Sequence, residues 1–447
     1  MVKFFSRTLL GVAVVAACGA AQAQSPQTLT VWWAKGFYQS EDVAIRKVVE
    51  KFEAKTGIKV DLSLFSIEDA NTKAISAVEA GSPPDVGFGA SYDLSARGRW
   101  VNDGKLDDVS DIVKPLQADL VPVADTSMFL ANGKTGVRSY YAVPVAIANN
   151  YIFYWRDMLK EAGFEPADVP TAWAPYWDFW CGKVQGALRD KGKRVYGVGN
   201  PTSVSAGDTP VEFLTFLAGY GVQVVDESGK LTLDQPGPRK ALISALTDYI
   251  QIYQRGCTPP SSITWLDVDN NNNLHNKTTV MTPNSSLSIP GKYLDEKNDD
   301  AYYRNLITAR FPLGANGKVI PQPTNVKAAV IFADAKNKAN AHAFLKFFSE
   351  PENYSLYVEG ALGRWVPVSK KALATPFWAD GKDPHRKIAA EVAKEPMFAF
   401  PTVYNYKFTA VNAENVWGKA MTRIIQDKIS VEQAADEMVK RIKDILG

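Results

Sequence analysis

Residues 29–65 read LTVWWAKGFYQSEDVAIRKVVEKFEAKTGIKVDLSLF. The apolar, partly β-branched run Leu29–Trp33 predicts a strand. Ser40 is the predicted N-cap of a helix, because two acids follow it and apolar residues then recur at helical spacing as far as Gly57. Residues 58–64 alternate between apolar and polar side chains, which predicts a second strand.

The next segment repeats this order of elements. A second helix is predicted over Glu68–Ala80, and the turn Gly81-Ser82-Pro83-Pro84 leads into a short strand at Asp85–Phe88. Alternation of strands and helices indicates an α/β protein with a parallel sheet. Ligands of such sheets bind beyond the carboxyl ends of the strands, which places Trp33–Tyr38 and Gly87–Tyr92 near a binding site.

Length and composition narrow the class of protein. The chain has 447 residues, 46% of them hydrophobic and 22% charged, and a formal net charge of +2. This length fits two domains better than one core. The nearly balanced charge, with bases spread among acids, argues against nucleic acid as a partner.

Later parts of the chain continue the α/β pattern. Arg239–Tyr253 is a predicted helix, Asp267–Asn273 a predicted polar loop, and Val326–Phe332 a predicted buried strand. Asn337 is the predicted cap of another helix, and the last helix is predicted to begin at Ser430 with a capping box.

The N-terminus carries an export signal. Lys3 and Arg7 precede the apolar run Leu9–Ala17, and Ala21-Gln22-Ala23 gives an A-x-A cleavage pattern. We therefore expect residues 1–23 to be a signal peptide, a mature protein beginning at Gln24, and a periplasmic location.

The cysteines leave two questions open. Val15-Ala16-Ala17-Cys18 loosely resembles a lipobox, so the alternative to cleavage before Gln24 is a lipidated Cys18. An oxidising compartment permits a disulfide between Cys181 and Cys257, but a buried free thiol fits the apolar surroundings of Cys181 equally well.

Five segments in order resemble the carbohydrate-binding branch of the extracellular solute-binding proteins, family 1, which is maltose-binding-protein-like. They span nearly the whole mature chain and are Gly81-Ser82-Pro83-Pro84-Asp85-Val86, Tyr141-Ala142-Val143-Pro144 with the following Tyr151–Leu159, Lys327-Ala328-Ala329-Val330 with the following Ala343–Glu352, Gly363-Arg364-Trp365-Val366-Pro367-Val368, and the closing helix from Ser430.

The resemblance implies a two-lobe periplasmic-binding-protein fold of the α/β class. Each lobe would be a mainly parallel sheet flanked by helices, with the ligand in the interlobe cleft. Lobe one would comprise 24–142 plus 327–350, and lobe two 143–326 plus 351–447. Closure about hinges is the motion of this class of binding protein.

The implied function is that of the substrate-binding component of an ABC importer. The ligand would be a carbohydrate or a related small polar solute, and the partners would be the membrane permease subunits. We expect a monomer with no catalytic residue, metal or cofactor. A further possible function is that of a binding protein that delivers its ligand to a sensor rather than to a transporter.

Recognition of a sugar requires aromatic walls for its C–H faces and planar polar groups for its hydroxyls. Residues of both kinds occur where the topology points to the cleft. The candidate ligand-binding residues are Trp33, Lys35, Phe37, Tyr38, Tyr92, Trp265, Asp267, Asn284, Arg364 and Trp365.

Each candidate also has a structural interpretation. A tryptophan supplies a large buried area and is more often part of a lobe core than a ligand platform, and we assign Trp173, Trp177 and Trp180 mostly to core packing. Asp267 could equally be a helix cap. The planar guanidinium of Arg364 is suited to donate two hydrogen bonds to a hydroxyl pair or a carboxylate.

Other chemistries find less support. The three histidines lie far apart in sequence, and the segment from Asp267 lacks the glycine and glutamate of a calcium-binding EF-hand loop. No nucleophile elbow or phosphate-binding glycine loop occurs. Paired acids can come from distant segments, so an exported glycoside hydrolase or lyase is the alternative function.

Overall fold

The computed structural model describes Met1 and residues 28–447. The predicted signal peptide and the cysteine of the alternative lipobox lie outside the described residues. The strands are β1 Leu29–Ala34, β2 Val60–Phe65, β3 Val86–Phe88, β4 Phe129–Ala131, β5 Arg138–Tyr140, β6 Val143–Ala148, β7 Tyr151–Trp155, β8 Tyr196–Val198, β9 Thr279–Asn284, β10 Leu306–Ala309, β11 Gln322–Ile331, β12 Val366–Pro367 and β13 Met397–Ala399.

The helices cover the faces of the sheets. They are α1 Gln39–Thr56, α2 Ile67–Glu79, α3 Tyr92–Ser95, α4 Arg97–Asn102, α5 Ser110–Val113, α6 Pro122–Met128, α7 Arg156–Glu161, α8 Trp173–Asp178, α9 Gln185–Asp190, α10 Asp208–Gly219, α11 Pro236–Gln254, α12 Asp269–His275, α13 Ser288–Asp295, α14 Lys338–Phe348, α15 Pro351–Gly360, α16 Lys370–Leu373, α17 Pro376–Ala379, α18 Pro384–Val392, α19 Pro401–Tyr404, α20 Phe408–Ala413, α21 Val416–Gln426 and α22 Val431–Leu446. Short 3₁₀ helices cover Lys114–Asp119, Pro166–Asp168 and Pro260–Thr264, and π-helical turns cover Phe179–Val184 and Ala301–Asn305.

Seven strands form the larger sheet, whose order is β12-β6-β11-β3-β1-β2, with β13 paired to β11. β1 runs parallel to both β2 and β3, as the sequence predicts. β11 runs antiparallel to β3 and β6, and β12 antiparallel to β6. The larger sheet is therefore mixed, and its parallel part is the one built by the first strand–helix repeats.

Four strands form the smaller sheet, in the order β10-β7-β9-β8. β7 is antiparallel to both neighbours, and β8 is parallel to β9. We call the parts of the chain around the larger and the smaller sheet lobe one and lobe two. The two-lobe α/β fold is confirmed, although antiparallel pairs outnumber parallel ones in lobe two because β7 runs opposite to both of its neighbours, β9 and β10.

The sheets bear on the predicted lobe boundaries, which remain a proposal. Val143–Ala148 pairs in the larger sheet, so the first crossing to lobe two falls at Asn149 and Asn150 rather than before residue 143. Helix α15 also packs on lobe one, where Trp33 donates a hydrogen bond to the Tyr357 hydroxyl at 3.1 Å. We propose that the last crossings follow β12 rather than lying in the 350s.

Two local predictions are wrong. The first helix begins at Gln39 without a side-chain cap, and the Ser40 hydroxyl instead donates to Asp295 of lobe two at 2.5 Å. The segment Asp267–Asn273 is not a loop throughout, because Asp269–His275 is helical. There the asparagine side chains bond to neighbouring elements, which compensates their low helix propensity.

Most of the aromatic residues pack in the hydrophobic cores of the two lobes. Trp173, Trp177 and Trp180 are buried, as expected, against Phe216 and their neighbours in lobe two. Cys181 and Cys257 form a disulfide with a Cα–Cα distance of 5.0 Å, which settles the question that the sequence left open. Among the described residues, no helix has the length and apolar character needed to cross a membrane.

Candidate ligand-binding cleft

The cleft lies between the lobes and spans about 540 Å³, which includes space open to solvent. Lobe one contributes the loop after β1, strand β11 and the loop between α15 and β12. Lobe two contributes the N-terminus of α10, the end of β9 and the segment before and within α12. The lining residues are Phe37, Ile67, Ala90, Ser91, Leu94, Ala148, Gly207, Asp208, Val211, Asp267, Asn271, Asn284, Ser285, Ser286, Asn325, Lys327, Arg364 and Trp365.

Arg364 is held by lobe one itself. Its Nη1 donates to Glu41 Oε2 at 2.6 Å, and both side chains are 3% exposed. The Trp365 Nε1–H donates to the other Glu41 oxygen at 2.7 Å. The guanidinium lies 4.2 Å from the ring centre of Phe37 and 4.1 Å from that of Trp365, so two aromatic rings flank the cation. One of its N–H donors is thus committed to Glu41.

Lys327 is held in the same way. Its ammonium donates to both oxygens of Asp93 at 3.1 and 3.2 Å, and the pair is buried. Arg97 lies behind it and donates to the Val326 carbonyl at 2.9 Å. Burial lowers the pKa of Arg97, and the charge of Asp93 opposes this shift. Lobe one therefore presents two cations to the cleft, each with its own acid.

Lobe two presents two carboxyl groups. Burial raises the pKa of Asp208 well above its ordinary value, and the neighbouring Asp267 raises it further. The Asn270 amide donates to Asp208 at 3.0 Å and opposes the shift. Burial likewise raises the pKa of Asp267, aided by the charge of Glu68 and opposed by the charges of Lys327 and Arg364. Within residues 28–447, no group of three or more His, Cys, Asp or Glu side chains is placed to hold a metal ion.

Two asparagines of lobe two share one hydroxyl. Ser288 Oγ accepts a hydrogen bond from Asn271 Nδ2 at 3.1 Å and from Asn284 Nδ2 at 3.0 Å. These bonds fix the orientation of both amides and leave their carbonyl oxygens for other partners. The Oδ1 atoms of Asn271 and Asn325 are buried and have no hydrogen-bond partner in the part of the chain that the structure describes.

The structure brings five of the ten predicted site residues to the cleft: Phe37, Asp267, Asn284, Arg364 and Trp365. Asp267 lies just before α12, whose N-cap is Val268, so the capping alternative is not what is observed.

The other five do not line the cleft, and these predictions are corrected. Trp33 stacks on Phe88 at 4.4 Å in the core of lobe one, and Tyr92 packs on Trp100 in the same core. Lys35 is exposed outside the cleft. Tyr38 donates to the Ala361 carbonyl at 2.7 Å, and Trp265 is buried with its indole N–H bonded to Ser261.

Sequence reasoning missed Asp208, Asn271, Asn325 and Lys327 as cleft residues. Lys327 stands in a segment that carries the family resemblance, but it was assigned only to a strand. Asp208 begins helix α10, and an acid at a helix start has an ordinary structural explanation. The pattern of the sequence alone could therefore not have distinguished it.

Hydrogen bonds join the lobes beside the cleft. Ser40 of lobe one binds Asp295 of lobe two, and the Leu287 N–H of lobe two donates to the Arg364 carbonyl at 3.3 Å. The two lobes therefore contact each other beside the cleft.

Comparison with known proteins identifies relatives of this architecture. A family model described as bacterial extracellular solute-binding protein matches residues 47–387. No curated protein sequence matches the chain.

Several solved structures share the fold. One is an ABC transporter solute-binding protein from Thermotoga lettingae bound with α-D-tagatose, with a TM-score of 0.75 and 20% identity over 94% of this chain and 100% of that one. Another is maltose-bound MalE3 of T. maritima, with a TM-score of 0.73 and 19% identity over 94% and 100% of the two chains. A third is the GacH receptor of Streptomyces glaucescens, solved unliganded and with acarbose, with a TM-score of 0.70 and 20% identity over 94% and 98%.

Proposed function

Because the chain belongs to the bacterial extracellular solute-binding proteins, we propose that it captures a carbohydrate between its lobes and delivers it to the permease subunits of an ABC importer. The protein acts in the periplasm as a monomer and has no catalytic role. The observation that carries this proposal is the interlobe cleft, where an exposed aromatic ring and several polar side chains from both lobes converge.

The cleft suits a small polar ligand. Phe37, 36% exposed, offers a flat apolar surface at its edge. Asn271, Asn284, Asp208 and Asp267 offer groups that accept hydrogen bonds from hydroxyls. The three similar structures described above include proteins solved with tagatose, maltose and acarbose.

The placement of the acids supports capture over hydrolysis. Glycoside hydrolases place two carboxyl groups on either side of the scissile bond. Here Asp208 and Asp267 both belong to lobe two and stand close together, since a Cβ atom added to Gly207 would lie 2.9 Å from Asp267 Oδ1. Both carboxyls therefore approach a ligand from the same wall.

Calorimetric titration with a panel of neutral, amino and acidic mono- and oligosaccharides tests the proposal. We expect at least one saccharide to bind, to reduce the radius of gyration in solution scattering, and to be recovered chemically unchanged after incubation. Saccharide cleavage would favour the glycoside hydrolase alternative, and no binding across the panel would contradict carbohydrate capture.

Phe37 provides a second test. We expect Phe37→Ala to weaken saccharide binding by about 2 kcal/mol, roughly thirtyfold, because it removes an aromatic surface at the cleft. The free energy of unfolding should change little, since the side chain is already 36% exposed.

Phe129→Ala is the matched control. Phe129 is 37% exposed and also lies beside an arginine, with Arg138 5.4 Å from its ring centre, but it is not among the cleft residues. Its replacement should leave affinity unchanged. Equal losses of affinity in the two variants would remove Phe37 from the binding site.

A further inference from the structure

We infer that the captured carbohydrate carries a protonated amine, and that the cleft rejects sugars bearing a carboxylate or phosphate. This inference rests on the proposed function and concerns the charge and hydrogen-bonding balance of the cleft. It comes from which polar groups are already bonded to the protein and which are left for a ligand.

The basic groups at the cleft are already neutralised. Lys327 donates to both oxygens of buried Asp93, and Arg364 donates to buried Glu41. An anionic ligand could not displace either carboxylate, held at 2.6 to 3.2 Å inside lobe one, without leaving a buried acid unpaired. It would therefore meet cations whose charge is already offset.

The donors left over at Arg364 belong to a cation whose charge Glu41 already offsets. Only its Nη1 bonds to Glu41, and its Nε–H is buried without a partner within residues 28–447. The rings of Phe37 and Trp365 flank this guanidinium at 4.2 and 4.1 Å and close off its faces. The amides of Asn271 and Asn284 each donate one N–H to Ser288 Oγ, and Asn284 donates its other N–H to the Ser286 carbonyl at 3.3 Å.

Several hydrogen-bond acceptors that line the cleft, by contrast, have no donor from the described chain. In the described chain, neither Asp208 nor Asp267 takes part in an ion pair, although both line the cleft. The Oδ1 atoms of Asn271 and Asn325 line the same cleft, are more than nine-tenths buried, and have no partner in residues 28–447. A buried acceptor without a donor is costly, so these groups favour a ligand that brings donors.

An ammonium group matches this arrangement. It carries three N–H donors, no acceptor and a positive charge, whereas a carboxylate or phosphate adds acceptors and negative charge where both are already in excess. A neutral sugar hydroxyl both donates and accepts, and therefore satisfies the acceptors without compensating their charge.

The charges that face the two carboxyls define the pH dependence. Asp208 faces Asp267 and, behind it on α10, Glu212, with Lys327 opposite. Asp267 faces Glu68, Lys327 and Arg364. The raised pKa of each carboxyl means that both are ionised only above the ordinary aspartate range. Binding of an amino sugar should strengthen as pH rises through that interval, as long as the amine stays protonated.

Calorimetry with ring-matched probes tests the inference. The probes are glucosamine, glucose and glucuronate, the corresponding galacto series, and the β-1,4-linked disaccharide of glucosamine beside cellobiose. We expect the amino member of a bound series to be at least about tenfold tighter than the neutral member, and the acidic member not to bind. The preference should shrink as the pH falls from 7 to 5, an interval in which the amine of the probe stays protonated.

Variants identify the groups responsible. Asp208→Asn and Asp267→Asn should each reduce the preference for the amino sugar over the neutral one by about tenfold or more, because each removes one negative charge at nearly constant shape. Asp61→Asn, at an exposed position of β2, removes the same charge outside the cleft and should leave the preference unchanged. Circular dichroism checks that each variant is folded, and the pH series on the unaltered protein needs no variant.

The outcomes are distinguishable. A neutral sugar that binds as tightly as its amino counterpart, or a sugar acid that binds best, would overturn the inference and leave carbohydrate capture standing. A preference that both cleft variants leave intact would also overturn it. The absence of binding by every saccharide would overturn the inference together with the proposed function.

Discussion

Replacing Cys181 and Cys257 together with alanine is expected to lower the free energy of unfolding by about 4 kcal/mol. The disulfide joins residues 76 positions apart and closes a long loop of lobe two. In the chain-entropy description, a cross-link over a loop of this length removes that much conformational freedom from the unfolded state. It links the π-helical turn Phe179–Val184 to the segment that follows helix α11.

Urea denaturation of the oxidised protein and the double variant measures this effect. The oxidised protein held under strong reductant should shift to the midpoint of the variant, because both lack the same bond. Neither cysteine lines the cleft, so saccharide affinity in the folded state should be unaltered. An unchanged urea midpoint would show that the disulfide constrains the unfolded chain less than its loop length indicates.

Local patterns were enough to predict the elements that begin lobe one. The alternation in β2 and the helical spacing in α1 and α2 arise within short windows, so single segments carry the signal. The order β12-β6-β11-β3-β1-β2 is different, because it depends on pairings between strands far apart in sequence. Strand β11, for example, lies between β3 and β6, and no local pattern specifies that position.

The candidate site was harder to predict for a related reason. Burial alternates along β1, where Leu29, Val31 and Trp33 are buried and Thr30 and Trp32 are half-buried. Alternation thus places Trp33 on the same face as Leu29 and Val31, but it does not say whether that face packs in the core or lines the cleft. Phe37 and Asp267 were found because each lies in a loop near a strand end or a helix start. Lys327 and Asp93 are 234 residues apart, and their pairing could not be inferred from spacing.

Disrupting the buried hydrogen-bond network around Glu41 should also lower the free energy of unfolding by a large amount. We expect Glu41→Ala to lower the free energy of unfolding by about 3–5 kcal/mol, because it leaves the Arg364 guanidinium buried without its counter-ion. The Trp365 indole N–H loses its acceptor in the same variant. Chemical denaturation at neutral pH gives the magnitude.

Two further variants separate charge pairing from packing. Glu41→Leu combined with Arg364→Met removes both charges and should recover most of the lost stability, because a buried ion pair is often replaceable by apolar side chains of similar size. Asp436→Ala breaks the exposed pair with Arg239, 2.7 Å apart, and should change the free energy of unfolding by less than about 1 kcal/mol. If Glu41→Ala costs no more than Asp436→Ala, then water reaches Arg364 in solution and solvates the charge. In that case the two rings that flank the guanidinium do not shield it from the cleft. Arg364 would then be free to donate hydrogen bonds to an acidic ligand, and the argument that the cleft disfavours acidic sugars would no longer include it.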